Sequence, residues 1–389
     1  MENKIISILG DLVGIDSVSP TLANGPGEIE IAEYVRQYLQ KLGLDAQIQT
    51  VAPGRANVVC IISGTNRNKS LLLNAHLDTV GVEEMPEPFD LKKKGDKLFG
   101  RGAYDMKGSA ALMLLLAENL MKDRPPIDVC LTFVADEEDK SIGMAHLVDK
   151  WLPQISPLPM GAIFLEPTEL QIGVGHKGFT WYEIEIIGKA AHGSRPAEGV
   201  DAILPLRAAL DEIDNIQTEL YNRPADPLLG HATVHSSLIE GGSELSVIPA
   251  RSKLLWERRS LPGETQQDLS AELKRILAAV ENHPGAHTVK GQELFVRLPY
   301  RVSDEAEILQ RLQSASPQSK TVGLSFWADS ALCAMVGIPA VLFGPVGHGA
   351  HAVDEWVSVK SLVQVFAVLK KMIFDFSYLT HDFFSVIQR

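Results

Sequence analysis

The chain has 389 residues, more than one hydrophobic core usually serves, which predicts two domains. Apolar residues make up 45% and charged residues 22%, the balance of a soluble globular protein and not of a disordered or fibrous one. A net charge of −13 excludes the concentrated basic face of a nucleic-acid binder, disfavours anionic membrane surfaces and weakly attracts cations.

The opening segment MENKIISILGDLVGIDS has an apolar run broken by Asp11, too short for the apolar core of a secretory signal. No uninterrupted apolar stretch approaches the ~20 residues needed to span a bilayer. A cytoplasmic, non-membrane protein is the expectation. Next, EIEIAEYVRQYLQKLG places apolar residues at helical spacing and stops at Gly43. ANVVCIISG and SLLLNAHLD read as strands, and MKGSAALMLLLAENLMKD as a buried helix. DVCLTFVADEED is a strand, IGMAHLVDKWL a helix and MGAIFLEPTE a strand. This alternation predicts an α/β fold with a mostly parallel sheet covered by helices on both faces.

The pattern changes near residue 178. FTWYEIEIIGKAAHGS alternates at period two, and GVDAILPLRAALDEIDNIQ follows as a helix. ATVHSSLIEGG and SKLLWERRSL are strands, TQQDLSAELKRILAAVENH is a helix, and HTVKGQELFVRLPY closes the set. The β-α-β-β-α-β order predicts an inserted small α+β domain of the split βαβ type over 179–297. The larger domain then comprises 1–178 and 298–389, resuming with the helix DEAEILQRLQSA, the strand PAVLFGPVG and the helix VKSLVQVFAVLKKMIF. Cys60, Cys130 and Cys333 each lie in apolar stretches and read as buried free thiols.

Polar residues collect where the core strands stop. His76 and Asp78 end LLLNAHLD, Glu137 and Glu138 end VCLTFVADEED, Glu166 ends AIFLEPTE, and GHGAH supplies His348 and His351. Asp105 lies in the glycine-rich turn GRGAYDMKG that opens the long helix. In an open parallel sheet the crevice beyond the carboxyl ends of the strands is where ligands bind. Histidines and carboxylates without cysteine suit Zn²⁺ or a similar divalent ion. Their number exceeds the needs of one catalytic zinc and fits two metals roughly 3.5–4 Å apart. One acid should stay off the metals to take a water's proton. The adjacent Glu137 and Glu138 offer both roles, because successive residues of extended chain diverge. Against this stands the reading of each residue singly as a solvated or hydrogen-bonded side chain, which the convergence on one sheet edge disfavours.

The ordered motifs AHLDTV, GRGAYDMKG, DEEDKSIG, LEPT, KAAHGSRPAEGVDAI, IEGGSELSVIP, ERRSLPGE and GAHAVDEW span nearly the whole chain. In them the chain resembles the metallohydrolases typified by acetylornithine deacetylase, succinyl-diaminopimelate desuccinylase, aminoacylase and glutamate carboxypeptidase. The resemblance implies that His76, Asp105 and Glu166 hold one metal, and that Glu138, His351 and a bridging Asp105 hold the other. The ions would be zinc, with cobalt or manganese as alternatives. It implies that Asp78 hydrogen-bonds His76 and fixes its ring. Glu137 would be the general base for a water bridging the metals. In the inserted lid and dimerisation domain, His192 would reach a neighbouring active site and stabilise the oxyanion. Arg259 would bind the substrate carboxylate, with Arg258 facing the other way.

Three positions depart from the usual pattern: Ala75 where many members have glycine, Ser246 where many have asparagine, and Glu257 where aspartate is common. The activity implied is hydrolysis of the amide bond of N-acyl amino acids, as in acetylornithine deacetylase. The alternative is a metallo-carboxypeptidase or dipeptidase. The partners implied are a small substrate with a free carboxylate and a second copy of the chain, with no nucleic acid or membrane. A non-catalytic metal-stabilised binding protein is disfavoured by the presence of Glu137. A nucleotide-binding enzyme is disfavoured because GRGAYDMKG lacks the final Lys-Ser/Thr of a phosphate loop.

Overall fold

The computed structural model describes residues 1–285 and 287–376. The chain divides into two compact units. The larger comprises Met1–Val174, Val302–Val322 and the chain from Ala328 onward; the smaller comprises Gly175–Arg301 with Gly323–Trp327. The sequence pattern had left Gly323–Trp327 in the larger domain. Those residues side with the smaller unit because the Trp327 indole donates to the Leu298 carbonyl at 3.2 Å and Gly323 lies against Leu228.

In the larger unit four strands, Ile127–Val134, Asn66–His76, Ala162–Phe164 and Ala340–Leu342, lie side by side in that order and run parallel. Arg55–Ile62 and then Gln47–Ala52 extend the sheet antiparallel on one side. On the other, the strand beginning at Ile172 joins antiparallel through Leu342 and Gly173. All of Ile127–Val134 and the Ser70–His76 half of its neighbour are buried, which explains why these strands read as continuous apolar runs instead of alternating. The helix Gly108–Lys122 is buried along almost its whole length and packs with Glu2–Val13 and Val359–Phe374. All three cysteines are free and buried. No helix among the described residues is long and apolar enough to cross a membrane.

A second, small antiparallel sheet in this unit has the order Gly347–His348, Trp356–Ser358, Lys97–Phe99, Lys92–Lys94. Strands of two or three residues carry no readable periodicity, and the sequence pattern gave no sign of them.

The smaller unit is a four-stranded antiparallel sheet in the order Thr233–Gly241, Arg251–Ser260, Gly178–Ile187, Thr288–Arg297. Helices Leu206–Asn222 and Gln266–Glu281 complete the β-α-β-β-α-β order. Alternate residues Tyr182, Ile184, Ile186, Leu254 and Trp256 share a core with Ile213, Ile216 and Ile276 of the helices. The first helix begins at Leu206, later than the expected stretch from 199, because Pro205 cannot continue a helix toward its own N-terminal side.

Candidate functional site

The four parallel strands of the larger unit end at one edge of the sheet, and each delivers polar side chains there. His76 is the last residue of its strand, Glu137 and Glu138 follow Ile127–Val134, and Glu166 follows Ala162–Phe164. His351 lies in the chain beyond Ala340–Leu342, with a left-handed backbone (φ 65°) that is uncommon for a histidine. Asp105 arrives from the turn that precedes Gly108–Lys122.

These residues form two groups. The ligand atoms of His76, Asp105 and Glu166 lie within 4.8 Å of one another, as do those of Asp105, Glu138 and His351. Asp105 belongs to both: its Oδ1 is 3.0 Å from His76 Nε2 and its Oδ2 is 3.4 Å from His351 Nε2. His351 Nε2 is also 2.9 Å from Glu138 Oε2. The other histidine of GHGAH, His348, stands 3.6 Å from Asp354 and joins neither group.

The donor set fits divalent cations. His76 Nδ1 is 3.0 Å from the Asp78 carbonyl, an acceptor only, so in the neutral ring Nδ1 carries the proton. The Nε2 lone pair then faces a carboxylate oxygen, an arrangement that needs a positive charge between them. Glu138 Oε1 is buried with no hydrogen-bond partner among the described residues, a costly state for a carboxylate oxygen unless a cation meets it. Electrostatics agree. Burial raises the Glu166 and Glu138 carboxyls, and the Asp105 charge raises both further. Burial, and then the Glu166 charge, lifts Glu137 well above the usual carboxylate range. Burial alone would lower His76, but its bond to Asp105 and the charges of Glu166 and Asp78 carry it well above the usual histidine value. Asp105 is held low despite burial by its bonds to His351 and His76.

Asp78 does not act as the sequence implied. Its carboxylate is 3.6 Å from His76 Nδ1, beyond hydrogen-bond reach, and it is the main-chain carbonyl of Asp78 that holds the ring. The strand ends at His76, so Asp78 is not paired with it across two positions of a regular strand. The Asp78 carboxylate instead accepts the backbone N–H groups of Glu137 and Glu138, each at 3.1 Å. For the same reason Glu137 and Glu138 lie in a turn and not in extended chain. Asp136 before them has a left-handed backbone (φ 66°), and of the two acids only Glu138 enters a ligand group.

Two supporting groups escaped the sequence reading. Glu355, buried at 1% exposure, accepts from the Arg101 guanidinium (2.8 Å) and from the backbone N–H groups of Gly102 (3.0 Å), Tyr104 (2.9 Å) and Asp105 (3.2 Å). It therefore fixes the turn that presents Asp105. The motif GAHAVDEW contains it, but nothing local ties it to a residue 250 positions earlier. Arg55, equally buried, grips Glu28 through Nε and Nη2, meets Asp136 Oδ1 at 2.7 Å and lies 4.0 Å from Asp78.

The smaller unit carries the remaining expected residues. His192 is exposed, and its Nδ1 accepts the Ser194 backbone N–H at 3.2 Å and lies 2.8 Å from Ser194 Oγ. Neutral His192 is thereby set as the Nε2–H tautomer, with Nε2 as its outward donor. The Ser246 carbonyl accepts from Gly193 N at 2.7 Å, next to His192. Arg258 is fully buried and pairs with Glu272 and Glu264, while Arg259 lies on the opposite face. Glu257 takes Arg259 Nε at 2.6 Å and Nη2 at 3.2 Å, and is itself held by the Trp181 indole at 2.9 Å. Phe179, opposite Arg259 in register, lies 5.2 Å below the guanidinium. Among the described residues no acceptor meets Nη1 or the second proton of Nη2.

Comparison with known proteins gives the family and the fold. A family model described as peptidase family M20/M25/M40 matches residues 72–375. An M20 domain-containing protein of Schizosaccharomyces pombe is 30% identical over 95% of this chain and 84% of its own length. Acetylornithine deacetylase of Buchnera aphidicola is 26% identical, covering 90% of this chain and 91% of its own. A probable carboxypeptidase of Talaromyces marneffei is also 26% identical, over 95% and 85%. Among solved structures, a tripeptidase of Staphylococcus aureus superposes with a TM-score of 0.76 at 20% identity, covering 96% of this chain and 98% of that one. A dinuclear metal-binding peptidase of Bacillus subtilis does so with a TM-score of 0.71 at 17% identity, covering 96% and 98%.

Proposed function

We propose, from the premise that the chain belongs to peptidase family M20/M25/M40, that this hydrolase uses two divalent metals to cleave the amide bond of N-acyl amino acids. The single observation that carries the reading is the position of Asp105, whose two oxygens face two different histidines of two overlapping ligand groups. His76, Asp105 and Glu166 would hold one ion and Asp105, Glu138 and His351 the other. Zinc ions there, with cobalt or manganese as alternatives, would supply Lewis-acid polarisation of the amide carbonyl and acidify a water.

The chain's own residues do the rest. Glu137 takes the proton of the attacking water and returns it to the leaving amine. Its carboxylate belongs to neither ligand group and so is left to handle the proton. His192 donates Nε2–H to the carbonyl oxygen as negative charge develops there. Arg259, aligned by Glu257 and Phe179, clamps the substrate's free carboxylate by two parallel hydrogen bonds. Glu257, one methylene longer than the common aspartate, reaches both Nε and Nη2 of the guanidinium.

His192 would serve the metal centre of a second copy. Supporting this, the edge strand Thr233–Gly241 is exposed over most of its length and carries Leu238 and Ile239 at 59% and 57% exposure. An apolar sheet edge of this kind is a template for pairing with an identical edge.

A carboxypeptidase or dipeptidase reading is favoured by the carboxypeptidases among the relatives, since the same bond and the same carboxylate anchor serve both. The test is turnover of N-acetyl amino acids and of dipeptides by the purified chain with Zn²⁺ or Co²⁺, alongside Glu137→Ala. The expected result is hydrolysis of N-acetyl amino acids, acetylornithine among them, and a loss of at least ~10²-fold in Glu137→Ala with metal content unchanged. Turnover of dipeptides alone would replace the deacylase by the peptidase. Unchanged turnover in Glu137→Ala would overturn the mechanism.

A further inference from the structure

We propose that Arg55 and Asn57 are positioning residues that set Glu137 and Glu138 in place, and that their influence on metal binding falls chiefly on the ion held through Glu138. The inference rests on the assignment of Glu138 as a ligand made above.

Arg55 and Asn57 lie two residues apart on the strand Arg55–Ile62 and so share one face of it. Asn57 closes the base of the loop that carries the acidic pair. Its Oδ1 accepts Ala135 N at 3.0 Å, and its Nδ2 donates to the Gly143 carbonyl at 2.8 Å. One amide thus holds both ends of the loop. The approach is so close that a Cβ on Gly143 would stand 2.3 Å from the Ala135 carbonyl and 2.5 Å from Asn57 Oδ1, so only glycine fits.

Arg55 faces, as an ion-pair partner, the two carboxylates that hold the interior of the same loop. Its Nη1 is 2.7 Å from Asp136 Oδ1, and Asp136 Oδ2 accepts the N–H groups of Lys140 and Ile142 at 3.2 Å each. Its Nη2 is 4.0 Å from Asp78 Oδ2, and Asp78 accepts the N–H groups of Glu137 and Glu138. Glu28, fully buried, takes the remaining Nε–Nη2 edge and fixes the guanidinium itself. The backbone of Glu137 and Glu138 is therefore hung from Asp78, and Asp78 and Asp136 are both set against Arg55. The side chains of Glu28, Arg55, Asn57, Asp78 and Asp136 are all buried, which limits competition from water for their contacts.

The consequence is selective. Glu138 is the one member of its ligand group carried by this loop. His76 and Glu166 stand at the ends of other strands, and His351 is held elsewhere. Loosening the bracket should weaken the ion shared by Asp105, Glu138 and His351. It should weaken the ion shared by His76, Asp105 and Glu166 far less, because Asp78 supports His76 only through its main-chain carbonyl. General loss of stability would not discriminate between them.

The test is calorimetric titration of the metal-free protein with Zn²⁺, comparing wild type, Asn57→Ala and Arg55→Lys. Arg55→Lys keeps the charge but loses the planar fork. Thermal melts of the same samples show whether each is folded. The expected result is two binding phases in every protein, one of them weakened about 10- to 100-fold in the variants, the scale on which partners behind metal ligands act. Hydrolysis should show kcat reduced by a similar factor and KM unchanged. Equal weakening of both phases, or no change in either with normal kcat, would overturn the proposal. Glu138→Gln identifies the phase concerned. If that variant shifts neither phase, the assignment of Glu138 fails and the bracket loses its purpose. If it shifts one phase and Asn57→Ala does not shift the same one, the bracket alone fails.

Discussion

At the scale of single residues, the site is a problem of charge. Asp105, Glu137, Glu138 and Glu166 crowd around two histidines, and without metal their charges are balanced only by protons. Burial, and then the Asp105 charge, pushes Glu138 up to about 7. Burial, with Asp105 adding to it against the pull of His76, pushes Glu166 up to about 8. Hydrogen bonds to Asp105 and Glu138 push His351 up to about 10. A group whose folded pKa is raised contributes stability that is full below its unfolded pKa and is lost as pH rises through the folded one. Asp105 is lowered and stays ionised throughout that range. The metal-free protein should therefore lose stability as pH rises from about 4.5, through the carboxyls, to about 10, where His351 loses its proton. Melting curves after chelation should show a lower Tm at pH 8 than at pH 6. Added Zn²⁺ should reverse the order, because deprotonated ligands bind metal better. A metal-free Tm that rises over this window would contradict the charge account.

At the scale of elements, strands bring the ligands and turns aim them. The strand ends were legible because four apolar runs each stopped at a histidine or an acid, and the sheet sets those four ends side by side. The turns were not legible. Asp78 was expected to hold the His76 ring with its carboxylate, but a short loop let its carbonyl do so and freed the carboxylate for the Glu137 and Glu138 amides. Glu355 reaches the Asp105 turn beside the three-residue strand Trp356–Ser358, which pairs with Lys97–Phe99, and neither strand is long enough to show a period. Long periodic elements announce themselves in one sequence, while contacts across 250 positions do not. Glu355→Ala should accordingly act at a distance. It strips three backbone N–H groups and the buried Arg101 of their acceptor, a loss of about 3–5 kcal/mol by analogy with other broken buried ion pairs. Denaturant titration should show that loss in the metal-free protein. A change within the error of the midpoint would mean that the Asp105 turn holds itself.

At the scale of the whole molecule, the proposed catalytic assembly is two copies of the chain. The β-α-β-β-α-β order of the smaller unit could be read from alternation and helix spacing, since each element there is nine residues or longer. What no periodicity reports is which surface meets another copy, because a paired edge and a solvated edge can have the same sequence. In the proposed pair, the exposed Leu238 and Ile239 on the outer strand would lie at that edge, and His192 on the same unit carries its donor proton outward.

The most direct measurement of this account is turnover in a mixture of two inactive variants, Glu137→Ala and His192→Ala, after exchange of subunits. In a mixed pair, one metal centre keeps its own Glu137 and receives the intact His192 of the other chain. Each variant alone should be nearly inactive, and the mixture should recover hydrolysis of the N-acetyl amino acid substrate. Mixed pairs that form but remain as inactive as the separate variants would contradict the account.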